Sequence, residues 1–141
     1  MKQKTAMSFR SGCPINILLE ILGDTWSLLI VRDMMFYGRC AYNEFLNAGE
    51  KIATNILSDR LQRLEAADII EKRRDPNDAR KFIYRLTARG IDLAPMLVEM
   101  ILWSATHEKT DAPAKVIQAM ASDRAAFIAN IRENWQVASQ S

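Results

Sequence analysis

The chain has 141 residues, 49% of them hydrophobic and 26% charged, and a net charge of +2. That is the balance of a soluble globular protein; it excludes a disordered chain and leaves room for one domain with a real core, not two. Two cysteines, Cys13 and Cys40, and the single histidine, His107, leave almost nothing for a disulfide scaffold, a zinc site or histidine-dependent catalysis.

The start, Met1 to Arg10, is basic but is followed by no apolar stretch of signal-peptide type. The longest apolar run, Met96 to Trp103, is interrupted by Glu99, so no membrane span and a cytoplasmic location are expected. Cys13 to Gly23 reads as a short helix, with Pro14 at its first position and Gly23 as a left-handed stop. Asp24 or Thr25 then caps a second helix, Trp26 to Phe36, apolar enough to be largely core and ended by Gly38. A third short helix covers Tyr42 to Ala48, with Tyr42, Phe45 and Leu46 inward and Gly49 as its stop.

The fourth helix begins near Ala53 or Thr54. Leu57, Leu61 and Leu64 fall at i, i+4 and i+7 and form its buried stripe. At 100° per residue, Asn55, Asp59 and Gln62 point away from that stripe, flanked by Ser58 and Arg63. Next, Ile69 to Arg74 and Lys81 to Leu86 read as strands around an Asp75-Pro-Asn-Asp78 turn, with Ile70, Phe82, Tyr84 and Leu86 as the apolar face. The turn lacks the glycine and terminal glutamate of a calcium loop.

Thr87 caps a further helix that runs to about Trp103, with Pro95 as a kink or a late start. It is apolar nearly all round, which predicts a partner surface. After a polar connection from His107 to Pro113, a last helix from Ala114 to Trp135 sets Ile117, Met120, Phe127, Ile131 and Trp135 near one face. The tail from Val137 to Ser141 is expected to fray. The fold class is therefore mainly α with a small β-hairpin.

Charge is unevenly placed. From Lys72 to Arg89 seven basic residues face two acidic ones, whereas from Gly90 to Ser141 four basic residues face six acidic ones. A helix with an outward face of amides, a hydroxyl and arginine, followed by a cationic hairpin, suits a polyanion read in one groove and clamped along its backbone. Asn55 and Gln62 can make bidentate contacts to adenine, and Arg63 can contact guanine or phosphate. There is no glycine-rich phosphate loop and no nucleophile–base pair, so neither an enzyme nor a cofactor is expected.

Five motifs carry a resemblance: Cys13-Pro14; Gly23-Asp-Thr-Trp-Ser-Leu-Leu-Ile-Val-Arg-Asp33; Tyr42-Asn-Glu-Phe45; Ile56-Leu-Ser-Asp-Arg-Leu-Gln-Arg-Leu-Glu65; and Tyr84-Arg-Leu-Thr-Ala-Arg-Gly90. In this order the chain resembles the HxlR-type winged helix-turn-helix regulators, close to the wider MarR class. Two positions depart from the family pattern. Ala53 stands where a Ser or Thr precedes the recognition helix, so Thr54 is a candidate cap, and Asp68 stands where the following turn carries Gly.

Length implies a single domain over 1–141; the resemblance covers roughly residues 13–103 and implies a winged helix-turn-helix core at about 13–90, with dimerisation helices at about 88–107 and, beyond the core match, 114–136. It implies a homodimeric transcription regulator, expected to repress, on a pseudo-palindromic duplex operator. The segment Thr54, Asn55, Ser58, Asp59, Arg60, Gln62 and Arg63 would enter the major groove. The wing residues Arg73, Arg74, Arg80 and Lys81 would lie on the backbone or minor groove. A winged-helix module that binds a protein instead of DNA is the alternative.

Cys13, at a helix start with Arg10 nearby, is a candidate redox switch in the manner of some HxlR-type regulators; its alternative is a small packed hydrophobe. Cys40 is either its partner across the dimer or a packing residue. An oxidant or small-molecule effector is expected on these grounds. For a small molecule, the apolar helices after Thr87 would supply a pocket near the dimer seam, with Trp26, Trp103 and Trp135 as walls; core packing accounts for those three residues equally well.

Overall fold

The computed structural model describes residues 8–139. The basic start Met1–Met7, and Gln140 and Ser141 of the tail, lie outside the described residues. Helix α1 (Pro14–Leu22) has Pro14 at its start, as the sequence predicts. Gly23 is not the left-handed stop: its φ is −78°, and its N–H donates to the Leu19 carbonyl at 2.8 Å. Glycine is needed there for space, because a Cβ would fall 2.2 Å from that same oxygen.

The carboxylate of Asp24 accepts the N–H groups of Trp26 and Ser27 at 3.0 and 3.1 Å and caps α2 (Ser27–Phe36). Ile30 and Val31 bury the inner face of α2. Helix α3 (Tyr42–Leu46) stops two residues earlier than Ala48, and the left-handed turn before the next helix falls at Lys51 (φ 57°). Phe45 alone of its three inward residues is fully buried; Tyr42 and Leu46 are half-buried.

Helix α4 (Thr54–Ala66) buries Leu57, Leu61 and Leu64, all at 3% exposure or less. Thr54 is its first helical residue and does not cap it; Ala53 occupies the cap position in extended conformation with no side-chain bond. Asp68 takes the left-handed turn at φ 61°, which its short polar side chain tolerates.

Strands β1 (Ile70–Asp75) and β2 (Asp78–Leu86) form an antiparallel hairpin, Ile70 opposite Leu86, Lys72 opposite Tyr84 and Arg74 opposite Phe82. Strand β2 starts three residues before Lys81 because the turn is tight. Asp75 accepts the Asn77 N–H at 2.8 Å, and Asp75 and Asp78 already pair. A single bridge from Ala41 to Ile83 adds the segment before α3 to the sheet edge.

The helix predicted from Thr87 to Trp103 is two: α5 (Ala88–Ile91) and α6 (Ala94–His107), with Pro95 opening the second. Thr87 caps α5 as predicted, accepting the Gly90 N–H at 3.0 Å. The last predicted helix is likewise broken, into α7 (Ala114–Ser122) and α8 (Arg124–Ser139). Asp123 leaves helical geometry (φ −153°, ψ 86°) and its carboxylate accepts the Ala126 N–H at 3.0 Å, so it starts a helix where periodicity reads straight through. The tail does not fray at Val137; α8 continues to Ser139, whose carbonyl accepts a bond from Arg85 at 2.9 Å.

One core joins Leu22, Val31, Phe45, Leu57, Leu64, Ile70 and Leu86 to Ile91, Leu97 and Val98 of the later helices, with Met120 and Ile131 at its far end. Among the described residues, no single helix is long and apolar enough to cross a membrane.

Candidate nucleic-acid interface

The outward row of α4 is positioned by what its inward row buries. With the three leucines in the core, Asn55, Ser58, Asp59, Gln62 and Arg63 are all exposed. The amides of Asn55 and Gln62 have no hydrogen-bond partner among the described residues, leaving donors and acceptors open. Ser58 shares a 3.0 Å hydrogen bond with the Tyr42 hydroxyl, which also lies 3.0 Å from the Thr54 carbonyl as donor. Tyr42 thus steadies the uncapped start of α4 from α3. The sequence marks Tyr42 only as a core residue; that its hydroxyl reaches another helix has no signal in spacing.

Arg60 differs from its neighbours. It is half-buried, with Nε 2.8 Å from Asp24 and a second ion pair to Asp59. Its guanidinium ties α4 to the cap of α2, so it sets the helix's angle. Asp24 thereby serves two elements. Burial alone would raise its pKa, but hydrogen bonds from Ser27, Arg60 and two backbone N–H groups outweigh that and hold it at about 2.

A second polar cluster fixes the approach to α4. Buried Asp33 pairs with Arg32 and Arg39, each at 2.7 Å, and Arg32 forks onto Glu50 at 2.7 and 2.8 Å. This anchors the loop after α3 to α2. The exit of α4 is fixed by the Thr87-Ala-Arg-Gly90 segment. Thr87 Oγ1 lies 2.6 Å from the Asp68 carbonyl, and Arg89 Nε donates to the Ala67 carbonyl at 3.1 Å. Gly90 lets the backbones meet, since a Cβ would sit 2.2 Å from the Ile69 oxygen. Arg89 therefore adds no charge to the wing tip.

On the hairpin, Arg73, Arg74, Arg80 and Lys81 are all exposed. They are not equivalent. Arg80, 91% exposed, touches Asp78 at 3.3 Å, and Arg73 pairs with Glu71 at 2.8 Å. Arg74 donates to the Ala79 carbonyl at 2.6 Å and stacks over Phe82 at 5.2 Å, which holds the turn closed. Lys72, absent from the predicted set, lies 4.1 Å from the same ring and adds a further cation to this surface. Arg85 points to the opposite side, toward α8.

Cys13 is exposed, in extended conformation at the cap position of α1, with no side-chain cap bond. Cys40 is half-buried; burial and then the Glu44 carboxylate push its thiol pKa up, disfavouring the thiolate. The three tryptophans do not converge on one pocket. Trp26 borders a narrow cleft beside Asp33, Trp103 meets the His107 ring at 4.9 Å with the two planes tilted by 46°, and Trp135 lines a separate cavity against β2.

A short helix, a turn, a helix with a polar outward row and a cationic hairpin define the class of winged helix-turn-helix transcription factors. Residues 21–112 match the model of the HxlR-like helix-turn-helix family, and the chain belongs to that family. It is similar to the HTH-type transcriptional regulator sll1512 of Synechocystis, with 34% identity over 65% of this chain and 69% of that protein. The regulator YodB of Bacillus subtilis is 31% identical over 65% of this chain and 82% of its own length.

Among solved structures, PA1607 superposes with a TM-score of 0.66 at 31% identity, covering 74% of this chain and 72% of that one. The oxidised form of the redox regulator HypR superposes at 0.61 with 26% identity, covering 70% of this chain and all of that one. The chain is thus a transcriptional regulator with a helix-turn-helix domain.

Proposed function

We propose that the protein acts as a homodimer on duplex DNA, with α4 in the major groove and the β1–β2 wing on the backbone or minor groove of a pseudo-palindromic operator. The observation that carries this reading is the division of α4: its leucine face is wholly buried, while Asn55 and Gln62 stand exposed, their amides free of protein partners among the described residues. Such amides suit base edges, and Arg73, Arg80 and Lys81 suit phosphates. Arg60 acts by fixing the pose of α4. A dimer seated across a polymerase site would exclude polymerase, and repression is the outcome this reading proposes. The dimer contact falls to exposed apolar residues on the flanking helices, Ile15 and Leu19 of α1 and Met100 and Trp103 of α6.

Fluorescence-anisotropy titration of a labelled duplex at rising salt tests this. Binding should occur at low salt and weaken linearly on a log–log plot. No affinity at low salt would instead favour a protein partner for the wing.

The same reading assigns the response to oxidants to Cys13, the exposed cysteine; the likeness to HypR, described as a redox regulator, supports it. Cys13→Ser should leave DNA affinity unchanged and abolish its loss on diamide treatment. An unchanged oxidant response in that variant removes Cys13 from the switch.

A further inference from the structure

Between the end of α2, the root of the wing and the last turns of α8 lies a cavity of about 370 Å³. That is within the range, roughly 300–1,000 Å³, of small-molecule sites. Met34, Met35 and Phe36 from α2, Ile83 from β2 and Trp135 from α8 supply its apolar walls, and Arg39, Cys40 and Asn134 line it as well. Trp135 is locked in place, its indole N–H donating to the Leu86 carbonyl at 2.9 Å.

Of the two guanidiniums on this lining, Arg39 is paired with Asp33, and Arg85 has no counter-ion among the described residues. Arg85 is half-buried, and its one hydrogen bond there is to the neutral Ser139 carbonyl at 2.9 Å. The acids around it are committed elsewhere. Glu71, its cross-strand neighbour, pairs with Arg73; Asp33 holds Arg32 and Arg39; Glu44 accepts the Cys40 and Ala41 N–H groups. Cys40, also on the lining, has its thiol pKa raised by burial and by Glu44, so it brings no negative charge at neutral pH. A half-buried guanidinium beside apolar walls, with only a carbonyl acceptor among the described residues, is a site for a charge-assisted hydrogen bond.

The geometry points to a binding site for a small amphipathic carboxylate, its apolar body between α2 and Trp135 and its carboxylate on Arg85. The carboxylate replaces the Ser139 carbonyl as acceptor, releasing the tie between α8 and the wing root. Because β2 carries both Arg85 and the exposed Arg80 and Lys81, the site is placed to shift the wing. That regulatory meaning rests on the DNA-binding reading; the site itself does not.

The test uses DNA-free protein, so the two can fail separately. With methyl-labelled methionine, 4-phenylbutyrate is titrated and the Met34 and Met35 resonances followed by NMR, alongside 4-phenylbutan-1-ol, the uncharged counterpart. The acid should bind at least about tenfold tighter than the alcohol, because one bond to a charged group is at stake. Arg85→Gln should erase that difference while leaving the alcohol's affinity in place. Equal binding of acid and alcohol by the unmodified protein overturns the proposal, and needs no variant to fold. So does the absence of shifts at both methionines, an Arg85→Gln protein that keeps the preference, or shifts that track protein concentration instead of probe, which would place a second copy in the groove.

Discussion

Asp24 shows how a single side chain sets up the surface without lying on it. It caps α2 and holds Arg60, and its pKa of about 2 lies below the ordinary 3.8. A carboxylate with a depressed folded-state pKa stabilises the fold above its unfolded value, and that contribution is lost as pH falls through the folded one. Acid unfolding between about pH 4 and 2 should therefore flatten in Asp24→Asn, followed as Tm by circular dichroism. An unchanged acid limb would mean the Asp24 network contributes nothing to stability. In sequence, Asp24 is visible as a cap; its bond to Arg60, 36 residues on, is not, because tertiary ion pairs leave no local period.

At the scale of elements, the wing divides into cations that face outward and a cation that builds it. Arg80 and Lys81 stand exposed near the start of β2, whereas Arg74 closes the turn through Ala79 and Phe82. Arg80→Ala with Lys81→Ala should lower the salt slope of DNA binding by about 0.9 for each phosphate no longer neutralised, with thermal stability unchanged. Arg74→Ala should lower Tm as well. Equal slopes in the double variant and the parent would remove the wing from the DNA.

The leucine stripe of α4 was legible from its period alone, since its start carries no side-chain cap, whereas the starts of α2 and α5 were legible from Asp24 and Thr87. The C-terminal break was not. Across 114–135 the apolar residues keep helical spacing, while Asp123 exchanges a continuous helix for a cap. The 3.6 period records which face is buried and is blind to a one-residue interruption. Of the two readings open for the tryptophans, packing holds for Trp26 and Trp135, which lie against the core, while Trp103 is exposed; nothing in spacing separates the three.

For the whole molecule, the proposed dimer rests on the flanking helices. Trp103 is 64% exposed and Met100 46%, a costly arrangement for a lone protomer and a natural one for a dimer seam. Trp103→Glu should shift the protein from dimer to monomer in analytical ultracentrifugation while leaving helix content intact; a mass identical to the parent's places the seam elsewhere. Because a two-fold dimer reads two half-sites, the same variant should lose most operator affinity.

Base reading by α4 is tested by selection of fragmented genomic DNA with the purified protein, compared with Asn55→Ala/Gln62→Ala. The parent should enrich one inverted repeat with half-sites about 10 base pairs apart or a multiple of that. The variant should retain salt-sensitive binding but lose the motif, at about 1–3 kcal/mol of discrimination per amide removed. Enrichment of the same motif by the variant, or no enrichment by either protein at low salt, would contradict a sequence-reading role for α4.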